Sequence, residues 1–119
     1  MGNPVLHFEV MGKDATGLAK FYGEAFGWET EDLNMPGGGY HMARPGGENG
    51  INGGIGGTPD GGAGHVTFYI AVDDLGDALQ KVEAGGGSTV QPPMDIPNGP
   101  SIALFADPEG HVVGLVKGM

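Results

Sequence analysis

His7 and Glu9 stand two residues apart in the alternating segment VLHFEVM at 5–11, so both side chains fall on one strand face. That spacing can present an imidazole and a carboxylate to one metal ion, donors that suit zinc, nickel, manganese or iron. The same pair can instead line a wet polar cavity, hydrogen-bonded to each other or to water. A substrate-binding or acid–base role for His7 is favoured over ligation, because a neutral imidazole near its working pKa both donates and accepts. In a second alternating segment, HVTFYIAV at 65–72, His65, Thr67 and Tyr69 share a face. His65 follows Gly64 at the start of that strand and can equally lie exposed. His41 has no readable facing, and Trp28 and Tyr22 read as core or cleft wall. No nucleophile stands beside a base: there is no Cys and no G-x-S-x-G, and Ser88 and Ser101 lack a marked partner.

The elements that must position these groups come in two sets. Strand one carries Leu6, Phe8 and Val10 opposite His7 and Glu9. Asp14 can cap a helix over ATGLAKFYGEAFG, with Leu18, Phe21, Tyr22, Ala25 and Phe26 on one stripe and Gly27 as a left-handed stop. WET, GGGYHMAR and GINGGIG follow as strand-like pieces, the last broken by glycine. The second set opens with the strand at 65–72, then Asp74 as cap, then a helix with Leu75, Ala78, Leu79 and Val82 at helical spacing, closed by Gly85 to Gly87. STVQPPMD, GPSIALFAD and HVVGLVK are its three further strands, divided by Pro and Gly turns. Asp107 in DPEG reads as a turn organiser, and His111 as directed away from the Gly114 face.

Shifting the chain by 60 residues lays Leu6 on Val66, Phe8 on Phe68, Val10 on Ile70, Asp14 on Asp74 and Gly27 on Gly87. It also lays INGGI at 51–55 on HVVGL at 111–115, so Gly54 falls on Gly114. Each half reads strand, helix, three strands. The expectation is an α+β fold: one domain over 1–119 built of two βαβββ repeats, about 4–57 and 64–117. Each helix should cover the Leu6/Phe8/Val10 or the Val66/Phe68/Ile70 face, leaving the opposite faces around a shared hollow that receives His7, Glu9, His65, Thr67 and Tyr69.

Composition narrows the partners. A formal charge of −10 with five Lys plus Arg gives phosphate backbones and anionic lipid surfaces no basic patch, so neither nucleic acid nor membrane is an expected partner. The absence of Cys excludes disulfides and thiolate sites, and no apolar run reaches the roughly 18–20 residues of a membrane span. The start MGNPVLHFEV lacks the form of a signal peptide, and a cytoplasmic protein is expected. The ten glycines between Arg44 and Gly64 form no phosphate-binding motif and read as connector.

With VLHFEV…D…FYGEAFGW at 5–28, HVTFYIAVDDLGDAL at 65–79 and FADPEGHVVGLV at 105–116, the chain resembles the vicinal oxygen chelate superfamily of glyoxalase I, bleomycin-resistance proteins and extradiol dioxygenases. The resemblance implies paired βαβββ modules and a U-shaped cleft in which a divalent metal chelates neighbouring substrate oxygens. It places the metal-ligand positions on His7, Gly54, Thr67 and Gly114, only the first of which bears a ligand; a shifted set of His7, Glu9 and His65 is the alternative. Its implied function is that of a glyoxalase- or bleomycin-resistance-like protein without the family metal and with no cofactor. Such a protein binds a small organic molecule in a cleft of His7, Glu9, Gly54, His65, Thr67, Tyr69 and Gly114, the two glycines leaving extra room. If it is an enzyme, it is a glyoxalase-like lyase, isomerase or dioxygenase with an atypical, metal-dependent site. A third reading is a non-catalytic structural or regulatory subunit. A homodimer is expected from relatives.

Overall fold

In a computed structural model, which describes residues 2–34, 39–58, 61–96 and 99–117, both helices begin where their capping aspartates dictate. Asp14 Oδ1 accepts from the Gly17 amide at 3.0 Å and opens α1, Ala15–Phe26; Asp74 Oδ1 accepts from the Asp77 amide at 2.9 Å and opens α2, Leu75–Ala84. Gly27 closes α1 at φ 72, the left-handed conformation a Cβ disfavours. The strands are β1 Val5–Gly12, β2 Glu29–Asp32, β3 Tyr40–Arg44, β4 Gly53–Gly57, β5 His65–Val72, β6 Ser88–Asp95, β7 Ser101–Ala106 and β8 Val112–Lys117. The order is therefore βαβββ twice, the α+β class expected from the repeat. The first two residues of GGGYHMAR, Gly37 and Gly38, and the connector's Pro59 and Asp60 lie outside the described residues.

The chain divides into two compact units, His7–Val66 and a second made of the residues up to Leu6 with those from Thr67 onward. In the first, the strand order is β2-β3-β4-β1, with β4 parallel to β1 and antiparallel to β3. Gly-rich β4 has poor intrinsic strand propensity, and it is extended because its backbone pairs on both sides. Its core gathers Val10, Ala19, Ala43 and Ile55, with Phe8, Leu18, Tyr22 and Trp28 packed against it. His41, whose facing the sequence left open, is buried; it alternates with Tyr40 and lies on the same strand face as core Ala43.

In the second unit the order is β5-β8-β7-β6 around Val72, Leu75, Leu79, Ala103 and Leu115. Pro92 and Pro93 are tolerated in β6 because it is the outer strand of this order, and its pairing with β7 is irregular around Gln91. The DPEG turn is organised as expected. Asp107 Oδ1 accepts from the Glu109 and His111 amides at 2.9 Å each, and Oδ2 meets His111 Nδ1 at 2.9 Å. These bonds, the His111 amide first, hold the Asp107 carboxyl below its usual range.

Two burial expectations are corrected. The buried stripe of α1 is Ala15, Leu18, Ala19 and Tyr22, while Phe21 and Phe26 are 56% and 64% exposed. Two apolar stripes overlap in this helix, and the one bearing alanines lets the backbone approach the sheet closely. Val66 is 73% exposed and Phe68 is exposed too, so on that face of β5 only Ile70 joins the core.

Candidate functional site

In the first unit, β4 separates β1 from β3, so a side chain on β3 must cross a whole strand to meet His7 or Glu9, roughly 9–10 Å between backbones. Tyr40 does this. Its ring runs along β4 over two glycines of one face. A Cβ built on Gly56 would lie 2.7 Å from ring atom Cδ1, and one built on Gly54 would lie 2.0 Å from Cζ and 1.7 Å from the hydroxyl oxygen. Any side chain at either position would take the space of the ring. The phenol ends on β1, donating to Glu9 Oε2 at 3.0 Å and standing 3.1 Å from His7 Nε2.

Proton counting fixes the direction of the chain. A phenol has one proton, and Tyr40 gives it to Glu9, so His7 must donate its Nε2–H to the Tyr40 oxygen. Burial pushes the His7 pKa below its ordinary 6.5, outweighing the opposing pull of Glu9, so burial favours the neutral imidazole, as the tautomer with its proton on Nε2. Beyond Glu9, His65 Nε2 lies 3.7 Å from Oε1. The Glu9 side chain is 13% exposed and that of His65 43%, so the carboxylate is enclosed and the second imidazole borders solvent.

The His7 environment carries a pH signature. Because the folded-state pKa lies below 6.5, the unfolded chain takes up this proton more readily. The His7 contribution is intact above pH 6.5 and is lost as pH falls below it toward the folded value. His7→Gln, which keeps an amide donor and does not titrate, should lose less melting temperature than the parent between pH 8 and pH 5.5. Equal losses would show that His7 carries no such linkage.

Of the seven residues read from the sequence, His7, Glu9, Gly54 and His65 belong to this cluster. Thr67, Tyr69 and Gly114 belong to the other unit. There Thr67 Oγ1 donates to the Val112 carbonyl at 2.8 Å, and the Tyr69 ring lies over its register partner Gly114, where a Cβ would come within 2.4 Å of Cδ2 and Cε2. Both side chains are buried. At the two glycines read as leaving room for a ligand, a tyrosine ring lies where a side chain would stand, Tyr40 at Gly54 and Tyr69 at Gly114. Tyr40 is the residue the sequence reading missed. Its signal was the pair Gly54 and Gly56 on one face of a strand, since glycine in a strand marks a close approach by something else.

A divalent metal in the family's arrangement does not fit these residues. A carboxylate at position 54 or 114 would collide with a tyrosine, Thr67 is engaged by a backbone carbonyl, and His7 is engaged by Tyr40. The alternative set of His7, Glu9 and His65 does share this cluster, with the Tyr40 hydroxyl between His7 and Glu9, yet among the described residues no three His, Asp or Glu side chains form a group able to hold a metal ion. A cavity of about 360 Å³ in the second unit, at the start of α2 beside Met94 and Lys117, contains none of the candidate residues. Its acids are occupied, Asp74 as helix cap and Asp95 by the Ser101 hydroxyl. Among the described residues no helix is long and apolar enough to cross a membrane.

Comparison with known proteins agrees with this architecture. The chain is 39% identical over 106 residues to the candidate glyoxylase CFP32 of Mycobacterium bovis, covering 86% of this chain and 41% of that protein. It is 31% identical over 117 residues to the anthracycline biosynthesis protein DnrV of Streptomyces peucetius, covering 87% and 42%. The chain thus spans about two fifths of the length of these relatives. Among solved structures, a hypothetical protein, BH1468, from Bacillus halodurans superposes with a TM-score of 0.75 at 12% identity, covering 100% of this chain and 96% of that one. Methylmalonyl-CoA epimerase from Mycobacterium tuberculosis superposes with 0.68 at 14%, covering 97% and 87%. At such identities these likenesses speak to fold alone. The sequence profile of one family matches residues 5–115, and the chain belongs to the Glyoxalase/Bleomycin resistance protein/Dioxygenase superfamily.

Proposed function

We propose that this protein binds a small organic molecule at the His7–Tyr40–Glu9 cluster, with His65 at its border, and that it does so without the metal used by metal-dependent members of its superfamily. The observation that carries this reading is the Tyr40 phenol, seated over Gly54 and bonded to both His7 and Glu9, where a metal-dependent relative would present a ligand. A neutral imidazole, a phenol and a carboxylate in series offer a ligand both donors and acceptors, and can relay a proton along the chain. The names of the relatives, a candidate glyoxylase and a protein of anthracycline biosynthesis, support small organic compounds as the ligand class.

Metal analysis and ligand screening together test the reading. Protein purified without chelators or affinity-tag metals should carry substoichiometric zinc, nickel, manganese and iron. In a thermal-shift panel of bleomycin, an anthracycline and a thiohemiacetal adduct, at least one compound should stabilise the parent and do so less in Glu9→Gln. A stoichiometric metal lost on His7→Ala would instead establish the metal-dependent lyase or dioxygenase reading. A panel in which nothing binds would favour the non-catalytic subunit.

A further inference from the structure

We infer that the trough floored by Gly54 and Gly56 is a binding slot for a phenol-class ring, and that Tyr40 is the protein's own occupant of it. The inference rests on the small-molecule reading above and names the ligand chemistry of that site. The slot already holds a phenol. The ring passes over backbone that bears no side chains, from Cδ1 above Gly56 to the hydroxyl above Gly54, and its oxygen is bonded to His7 and Glu9 on β1. Tyr40 is attached from the far side of the trough, on β3, so rotation of its side chain alone would vacate the slot and leave the pairing of β3, β4 and β1 untouched.

The end of the slot selects among ligand groups. His7 supplies an N–H and Glu9 a carboxylate, so the matched group both accepts and donates through one atom, as a hydroxyl does. A ligand carboxylate would face Glu9 in a chain of net charge −10, and an ammonium cannot accept from His7. A competing phenol must displace Tyr40, so its apparent affinity is reduced by the fraction of molecules in which the slot is closed.

The test uses p-cresol, which reproduces the tyrosine side chain, with toluene as the ring lacking the hydroxyl, titrated by NMR into the parent, Tyr40→Phe and Tyr40→Ala. Phenylalanine keeps the ring but lacks the hydroxyl that bonds His7 and Glu9, so it should yield more readily. Tyr40→Phe should bind p-cresol about tenfold more tightly than the parent, and Tyr40→Ala should prefer p-cresol to toluene by about tenfold. In the parent, saturating p-cresol should shift the Tyr40 ring resonances. Tyr40→Phe binding no more tightly than the parent would overturn the inference, and it needs no variant with an emptied interior. A panel compound that binds the metal-free parent while the Tyr40 resonances stay in place would also overturn it, and would leave the functional reading standing. Binding of p-cresol to Tyr40→Ala and Tyr40→Phe as expected, with no panel compound bound by the parent, would support the slot and sink the functional reading.

Discussion

Gly64→Ala should lower stability by about 3–5 kcal/mol, a fall in melting temperature on the order of 15 °C for a chain of this size. Two effects add at this residue. Its φ of +84 is left-handed, where an ordinary side chain costs roughly 1–2 kcal/mol. A Cβ here would also lie 1.8 Å from the Met11 carbonyl oxygen and 2.9 Å from the Gly12 Cα, which are backbone atoms that no rotamer change can clear. The segment entering β5 crosses the end of β1 at this point, and a shift would carry His65 away from Glu9. Gly61→Ala isolates the first effect, because Gly61 has φ +71 with nothing within 4 Å of its built Cβ. Chemical denaturation should find Gly61→Ala milder by at least 2 kcal/mol, roughly the share expected from backbone overlap. Equal losses would place the whole cost in φ and remove the close crossing from the account.

Gly54→Ala should expel Tyr40 and cost about 2–3 kcal/mol, chiefly the two hydrogen bonds of the phenol, one of them to a carboxylate. The new methyl would stand 1.7 Å from the Tyr40 oxygen, but that oxygen is the far end of a side chain able to swing away. The loss is therefore limited to what Tyr40 contributes in place. That reasoning is open to a double-mutant cycle. In a Tyr40→Ala background the same Gly54→Ala change meets an empty trough, so it should be nearly neutral, giving a coupling energy of about 2 kcal/mol. Absence of coupling would mean that Gly54 matters through its own backbone and not through the ring above it. The same expulsion should abolish the phenol-bridged chain, so Gly54→Ala and Tyr40→Phe should perturb the His7 ring resonances in the same sense.

Much of the fold was legible because its signals are local. Asp14 and Asp74 mark helix starts by a bond three residues long, Gly27 marks a stop by a conformation of its own, and strand alternation placed His7 and Glu9 on one face without reference to any distant residue. The repeat added the only long-range information, aligning Gly54 with Gly114. Legibility failed where two local patterns competed, as with the alanine and phenylalanine stripes of α1. It failed again at the start of β5, where the pattern predicts which face a residue takes but not whether a helix reaches far enough to cover it.

By itself the sequence determined two βαβββ modules, membership features of the superfamily, and the missing side chains at 54 and 114, since all of these are properties of spacing and residue type. Tertiary structure alone decided what those absences are for. Tyr40 meets His7 from 33 residues away because β4 lies between their strands and bears no side chain where the ring passes. Register and strand order create that reach, and neither is written in the local pattern around Tyr40.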